Sequence, residues 1–378
     1  MSPKCTTNRK LSFQPLEDRN LLAGNVLGSF AGTQLSLAGD ALDNQIEITE
    51  IAPNQIQVTG LGGTTINGAP SQVFAASLIE NVVVRTAGGD DTVKVHNLSL
   101  TDTANGNLEI HTADGSDTVK LEQVATTQSI KMTTGNGADA VNAFMVKTRG
   151  LLSLDTGGDH DSAAFDTIRA KDMKVEMHEG HDKLKIGNAR IGNDLKIQTG
   201  PDADQVALDR VGVRHNLDVR TDKGTDRVFI SRVGVGNDLN LETAEDQDLA
   251  VLRQVSVHHD LRANLGEGND FLSMDKVKVG NHIELRLEGG DDRASIRRTK
   301  AHDIYTDAGI GDDKVRMLDV HAVNDLHTFM GDGDDALWIE NSSAGNPHSD
   351  GGNGFDTLYD RPNAFDEVLT SINFEAII

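Results

Sequence analysis

An aspartate that recurs at a nearly constant interval constrains the fold of this chain more than any other feature. The last Asp of each Gly/Asp cluster occurs thirteen times, and after a first interval of 26 residues every interval is 21 or 22. An apolar residue follows two positions after each of them. These repeat aspartates are Asp91, Asp117, Asp139, Asp161, Asp182, Asp204, Asp226, Asp248, Asp270, Asp292, Asp313, Asp335 and Asp356. A fixed period of this length is typical of a solenoid.

Alternation within each repeat predicts three short β-strands. In the repeat that begins at Asp204, the apolar residues form three pairs with a period of two, which is typical of strands. They are Val206 and Leu208, Val211 and Val213, and Leu217 and Val219. Repeats stacked at about 4.8 Å would bury each apolar position between its copies. We therefore predict an all-β, right-handed parallel β-helix (a β-solenoid) of about 13 rungs, each of 21–22 residues with three short strands.

The repeat pattern divides the chain into four segments. Residues 1–24 form an export-like or disordered N-terminal segment, and residues 25–85 form an N-terminal cap with irregular first coils, because alternation persists there without the regular interval. Residues 86–358 are the regular β-helix repeats, and residues 359–378 form a C-terminal cap. A solenoid needs caps because a bare terminal rung exposes an unpaired strand edge.

Composition restricts the classes of partner. The chain has 35 Lys and Arg against 59 Asp and Glu, a net charge of −24, which argues against nucleic acid and favours cations. A single cysteine excludes an intramolecular disulfide and a cysteine-rich zinc site. We expect no membrane span, because no run of 18 consecutive apolar residues occurs.

The corner before the first strand is the strongest functional signal. It reads G-x-G-x-D in the repeats that end at Asp139, Asp270, Asp313, Asp335 and Asp356. Glycine permits positive φ and Asp supplies a hard oxygen, which together favour Ca²⁺. The candidate calcium ligands are Gly309, Gly311, Asp312, Asp313, Gly331, Gly333, Asp334, Asp335, Gly352, Gly354 and Asp356, with Asp139, Asp270 and Asp292. The alternative is that each Asp caps its own turn and no metal binds.

The segment Gly351-Gly-Asn-Gly-Phe-Asp-Thr-Leu-Tyr359 resembles the repeats-in-toxin (hemolysin-type) calcium-binding nonapeptide G-G-x-G-x-D-x-U-x. The resemblance implies that glycine carbonyls and Asp carboxylates hold Ca²⁺ between stacked turns. This chain departs from that family because it has one such corner in every 22 residues. In addition, Asp159, Asp202 and Asp246 stand where the second glycine is expected, which puts the backbone geometry of those corners in question.

Two further rows follow the same period. Asn and His alternate before the third strand, at Asn193, His215, Asn237, His259, Asn281, His302 and Asn324. Successive histidines would lie two rungs apart, about 9–10 Å, which is too far to share an ion, so we predict a stacked turn with left-handed backbone. A threonine row is predicted to line the core, at Thr134, Thr156, Thr199, Thr221 and Thr243.

The N-terminal residues carry a second resemblance. Leu11-Ser-Phe-Gln-Pro-Leu-Glu-Asp-Arg-Asn-Leu-Leu-Ala23 is similar to the "PLEDR-x-LL" segment of secreted or surface proteins of planctomycete bacteria. This similarity implies export to the extracellular space or cell surface. The alternative is a disordered tail of a cytosolic protein, since no conventional apolar signal region is present.

These observations predict an exported, calcium-binding structural or adhesive surface protein, with calcium ions and cell-surface or extracellular matrix components as partners. We expect no enzymatic activity. The alternative function is a carbohydrate-active β-helix enzyme, either a polysaccharide lyase or a glycosidase, which would need two opposed carboxylates in a cleft. The constant interval leaves no room for the long loops that would wall such a cleft.

Overall fold

The structure is a computed structural model that describes residues 23–365 and 368–378. The export-like motif and Cys5 lie almost entirely outside these residues, so their predictions are not addressed by it. All secondary structure in the described residues is β-strand. A helix able to span a membrane is absent from the same two ranges.

The chain winds into a parallel β-helix with three sheets. Each regular rung contributes a strand to the first and third sheets, and the eleven rungs that begin at Asp91 through Asp313 also contribute one to the second. The first sheet follows the repeat aspartates and contains Gln45–Ala52, Gln55–Gly60, Ser71–Ala75, Thr92–His96, Thr118–Glu122, Ala140–Phe144, Ser162–Asp166, Lys183–Gly187, Gln205–Asp209, Arg227–Ser231, Leu249–Arg253, Phe271–Asp275, Arg293–Arg297, Lys314–Leu318, Ala336–Glu340, Thr357–Asp360 and Ala376–Ile377. The second sheet contains the two-residue strands Ser99–Leu100, Ala125–Thr126, Lys147–Thr148, Arg169–Ala170, Arg190–Ile191, Gly212–Val213, Gly234–Val235, Ser256–Val257, Lys278–Val279, Lys300–Ala301 and His321–Ala322. The third sheet contains Asn25–Ala31, Gln34–Ala38, Thr65–Ile66, Asn81–Arg85, Asn107–His111, Ser129–Thr133, Leu151–Asp155, Asp172–Glu176, Leu195–Gln198, Leu217–Arg220, Leu239–Glu242, Leu261–Asn264, His282–Arg286, Asp303–Asp307, Asp325–Phe329, Asn346–Asp350 and Thr370–Ile372.

Equivalent positions of successive repeats lie directly above one another. Val206 pairs with Val228 in the first sheet, and Leu217 pairs with Leu239 in the third. These side chains are fully buried, so each apolar position packs on its own copies in the neighbouring rungs. The predicted β-helix of about 13 rungs is confirmed. The five threonines predicted to line the core are also fully buried.

Antiparallel strands cover the N-terminal end. Asn25–Ala31 pairs antiparallel with Gln34–Ala38, and Gln45–Ala52 pairs antiparallel with Gln55–Gly60. Gln45–Ala52 also pairs in parallel with Thr92–His96, the first regular strand. The hairpins therefore occupy the edge that the first rung would otherwise expose to solvent or to another chain.

A left-handed corner lies between the first and second sheets, whereas we predicted one before the third strand. Twelve consecutive rungs carry a non-glycine residue there with φ between 49° and 59°, at Asn97, Gln123, Met145, Thr167, Asn188, Arg210, Arg232, Gln254, Lys276, Arg298, Asp319 and Asn341. None of the seven Asn and His residues of the predicted turn has positive φ, so that prediction was wrong. Backbone hydrogen bonds connect this corner between successive rungs. For example, the Arg210 N–H donates to the Ser231 carbonyl oxygen at 3.1 Å.

Candidate metal-binding corner

The repeat aspartates form one continuous inner row that links the rungs. From Asp117 onward, the Oδ1 atom of each accepts the backbone N–H of the repeat aspartate before it, at 2.7–2.9 Å along the whole row. Each of the thirteen side chains is at most 2% exposed. The acceptor bond therefore crosses between rungs, in contrast to an Asx-turn, in which the carboxylate bonds to its own turn.

Two residues that the sequence analysis missed extend this row. The Asn44 N–H donates to Asp91 Oδ1 at 2.7 Å, and the Asp356 N–H donates to Glu375 Oε2 at 2.7 Å. Asn44 and Glu375 are each followed two positions later by an apolar residue, Ile46 and Ile377, as every repeat aspartate is. That signal was available in the sequence, but the regular interval is broken on both sides of the β-helix.

The second carboxylate oxygen of each repeat aspartate is buried without a partner. In the described part of the chain, none of the thirteen Oδ2 atoms makes a hydrogen bond. Burial is the main cause of raised pKa values along the row: about 8 for Asp182, Asp226, Asp270 and Asp313, about 7 for Asp91, Asp139, Asp204, Asp248, Asp292 and Asp335, about 6 for Asp161, and above the ordinary value for Asp117 and Asp356. An ionised carboxylate is disfavoured in these surroundings. Protons or a cation would therefore stabilise the row near neutral pH.

Threonine hydroxyls oppose the rise in pKa of some repeat aspartates, mainly in the N-terminal rungs. The Thr134 hydroxyl can donate its one proton either to the Thr156 carbonyl oxygen, at 3.2 Å, or to the Asp139 carboxylate, where it opposes the rise in pKa that burial causes. Threonine precedes seven repeat aspartates by five residues, at Thr86, Thr112, Thr134, Thr156, Thr199, Thr221 and Thr243. In the C-terminal rungs the same position holds Leu265, Leu287, Ala308 and Met330. The repeat aspartates of these rungs therefore have no hydroxyl five residues earlier that could lower their pKa.

The Gly/Asp corner has positive φ at the same two positions in all thirteen rungs. The residues four and two positions before each repeat aspartate have positive φ, as in Gly309 (105°) and Gly311 (137°). Asp159, Asp202 and Asp246 keep the second of these positions at 82–86°, so the degenerate corners retain left-handed backbone there. A Cβ atom on Gly333, whose φ is 154°, would lie 2.0 Å from the Gly311 carbonyl oxygen, so the stacking of this corner leaves no room for a side chain.

Carbonyl oxygens of the C-terminal corners bridge adjacent rungs. The Gly309 carbonyl accepts the Asp332 N–H at 2.9 Å, and the Gly331 carbonyl accepts the Asn353 N–H at 2.9 Å. A carbonyl oxygen has two lone pairs, so each of these atoms retains one for a further ligand. The unpartnered carboxylate oxygens are nevertheless the first donors that this corner offers to a cation.

A second, exposed carboxylate row runs beside the inner one. Asp291 Oδ1 accepts the Asp312 N–H at 3.0 Å, and Asp312 Oδ1 accepts the Asp334 N–H at 2.9 Å. The predicted residues Asp312 and Asp334 therefore share the corner with Asp313 and Asp335, but on its outer side. Consecutive Asp-Asp pairs double the density of oxygen donors in these rungs.

All fourteen predicted ligands lie along this one edge of the β-helix. Those of the last three regular rungs lie in adjacent corners, and Asp270 and Asp292 occupy the two corners before them. Asp139 lies on the same row but six rungs before Asp270. The predicted residues therefore belong to a continuous row and do not form a single closed site.

One histidine and two aspartates come close together at the corner before the third sheet, where Asn and His alternate. Ligand atoms of Asp238, His259 and Asp260 lie within 4.8 Å of one another. Two successive histidines are too far apart to share an ion, but here one His combines with Asp side chains of two rungs. Arg262 already pairs with Asp260, at 2.7 Å between Nη2 and Oδ2, which disfavours a second cation there.

The surface offers an open depression with several carboxylates. It has a volume of about 540 Å³, and its lining includes Glu176, Glu179, His178, Gln198 and Asp222. Among the carboxyl groups of residues 23–365 and 368–378, every one with a raised pKa belongs to the inner row. The raised carboxyl pKa values therefore favour the Gly/Asp corner over this depression as the candidate site.

Comparison with protein-family models, with curated proteins and with solved structures gives no match for this chain. The likeness of the corner to the repeats-in-toxin nonapeptide rests on the motif residues alone.

Proposed function

We propose that this protein is an exported structural or adhesive rod of the extracellular space or cell surface, and that Ca²⁺ bound along the Gly/Asp corner stabilises its stacked rungs. The observation that carries the proposal is the inner row, in which thirteen buried carboxylates each keep one oxygen without a partner in the described chain. A ligand that binds only the folded state stabilises it by mass action.

The need for a cation follows from the cost of the bare row. A buried charge that loses its partner typically costs about 3–5 kcal/mol, and protonation avoids this cost only where the pKa exceeds the ambient pH. A divalent cation between neighbouring rungs would neutralise two carboxylates at once. Since the available donors are all oxygen atoms, Ca²⁺ fits better than zinc or copper.

The C-terminal rungs are where we place the calcium. Asp270, Asp292, Asp313, Asp335 and Asp356 would hold it through their unpartnered oxygens. Further donors are the carbonyls of the predicted glycines and the outer carboxylates of Asp312 and Asp334. Four of these five corners combine the G-x-G pair with the absence of the threonine hydroxyl, and the Asp292 corner has Glu288 at the first glycine position. Weak sites of this kind suit an extracellular protein, where modules bind Ca²⁺ with Kd of about 10⁻⁴–10⁻³ M.

Elemental analysis and calorimetry test the proposal together. Purified protein dialysed against CaCl₂ should contain bound calcium, and its Tm should exceed that of the same protein in EGTA. MgCl₂ is the control, because Mg²⁺ demands stricter geometry and gives up its water reluctantly, so it should raise Tm less. Calcium-free protein with the same Tm in both solutions would show that protons, not calcium, neutralise the row.

A further inference from the structure

Charge is segregated within most rungs. Across the twelve rungs that begin at Asp91 through Asp335, the ten residues after each repeat aspartate contain 22 Lys and Arg but only six Asp and Glu. The remaining residues of these rungs, up to and including the next repeat aspartate, contain seven Lys and Arg but forty Asp and Glu. A chain with a net charge of −24 therefore has one strongly basic side.

The fold converts this sequence pattern into two surfaces. The basic residues lie on the first two sheets and the corner between them, and we call this surface the basic face. The acidic residues lie on the third sheet and the Gly/Asp corner, which we call the acidic side. On the basic face, Arg253, Arg293 and Arg297 are exposed and form no ion pair with any residue that the structure describes.

Apolar side chains lie at the centre of the basic face. Phe229 and Phe271 are each 40% exposed, and Leu249 lies between them, paired with Phe271 in the adjacent strand. Arg293 pairs with Phe271 on the next strand, and Arg253 ends the strand that begins at Leu249. Exposed aromatic residues beside arginine are typical of protein–protein interfaces, and they favour a protein partner over a uniformly charged polymer.

We propose that the basic face docks the acidic side of a second copy of this chain. Both surfaces are built from the same rungs, so their charges repeat with the same rise of about 4.8 Å. Two rods lying side by side therefore stay in register over their whole length. At physiological ionic strength the Debye length is about 8 Å, whereas a five-residue strand spans about 16 Å, so the acidic side does not cancel the field of the basic face.

The dimensions of the face suit a stable contact. Twelve rungs at about 4.8 Å and strands of about 16 Å give one sheet an area of about 900 Å², and specific interfaces bury about 800 Å² on each partner. Because the contact joins two different surfaces, a docked pair keeps one free basic face and one free acidic side. Such heterologous contacts generate open-ended arrays, here a lateral layer of rods.

Sedimentation velocity of the full chain tests the contact, with EGTA present so that the result is independent of the calcium proposal. We expect monomers in about 1 M NaCl and larger, concentration-dependent assemblies in about 0.05 M NaCl, because salt screens the charges. The basic-face variant R253E/R293E/R297E should be monomeric in low salt. The acidic-side variant E242K/E267K/D307K should also be monomeric, and it leaves the inner row intact.

Mixing the two variants gives the decisive result. Each retains one functional surface, so an equimolar mixture should form 1:1 dimers and nothing larger. Circular dichroism melts that match the parent protein will show that both variants fold. The proposal is overturned if the parent chain is monomeric in low salt, or if the basic-face variant still assembles. It is also overturned if the parent protein stays monomeric and its basic face binds heparin or DNA instead.

Discussion

Replacing Asp313 by Asn should stabilise the protein in EGTA and destabilise it in calcium. Asp313 is fully buried, its Oδ1 accepts the Asp292 N–H at 2.8 Å, and its Oδ2 has no partner among the described residues. Burial raises the pKa of this carboxyl group from 3.8 to about 8. Asparagine keeps the volume and the accepting oxygen but cannot ionise.

The sign and size of the effect follow from proton linkage. Because the folded pKa is above the unfolded value of 3.8, folding takes up a proton between pH 3.8 and about 8. The contribution of Asp313 to stability is therefore greatest below pH 3.8 and falls as pH rises through the folded pKa. At about 1.4 kcal/mol per pH unit, the cost at pH 7 is at most about 4 kcal/mol. The unpartnered NH₂ group of Asn costs about 1–3 kcal/mol, so we expect a net gain of about 1–3 kcal/mol at pH 7 and almost none at pH 5.

Calcium should reverse this sign, because the Asp313→Asn substitution would remove an anionic ligand from the proposed site. Urea unfolding in EGTA and in CaCl₂, at pH 5 and pH 7, measures the four free energies. Asp307→Asn is the matched control, since Asp307 is exposed and lies outside the corner, and it should stay within about 0.5 kcal/mol of the parent. The same sign in both solutions at pH 7 would refute the reasoning.

Two further outcomes are expected. In EGTA, the Tm of the parent protein should rise as pH falls from 8 to 5, since the inner row has raised carboxyl pKa values, and calorimetry in CaCl₂ should show a smaller pH dependence. Gly333→Ala should destabilise by about 2–4 kcal/mol in urea unfolding, because φ is 154° and the new Cβ would meet the Gly311 carbonyl oxygen. Gly234→Ala, whose Cβ meets no atom within 4 Å, should be neutral or slightly stabilising, and equal losses at both sites would contradict this steric argument.

Local features of the chain missed by the sequence analysis share one physical cause. Arg210 is left-handed because its N–H bonds to Ser231 in the next rung, and nothing in its residue type signals this conformation. Asn44 continues the inner row because it donates to Asp91, 47 residues later. Both conformations depend on partners about one rung or more away in the chain, which local propensity does not reveal.

The sequence by itself determined the architecture of this protein. Val206 and Val228 occupy the same offset in repeats of equal length, so period two sets which side chains face inward and the constant interval sets the register. The Gly/Asp corner and its candidate ligands were visible for the same reason.

Only the tertiary structure decided what the repeat aspartates and the surface charges do. An Asp in a turn is ordinarily solvated, but stacking buries Asp313 between copies of itself, bonds one oxygen to the neighbouring N–H and leaves the other without a partner among the described residues. The same stacking aligns the basic first halves of most repeats into one face. Burial and alignment both arise from contacts between residues about 22 positions apart, so they exist only once the rungs are stacked.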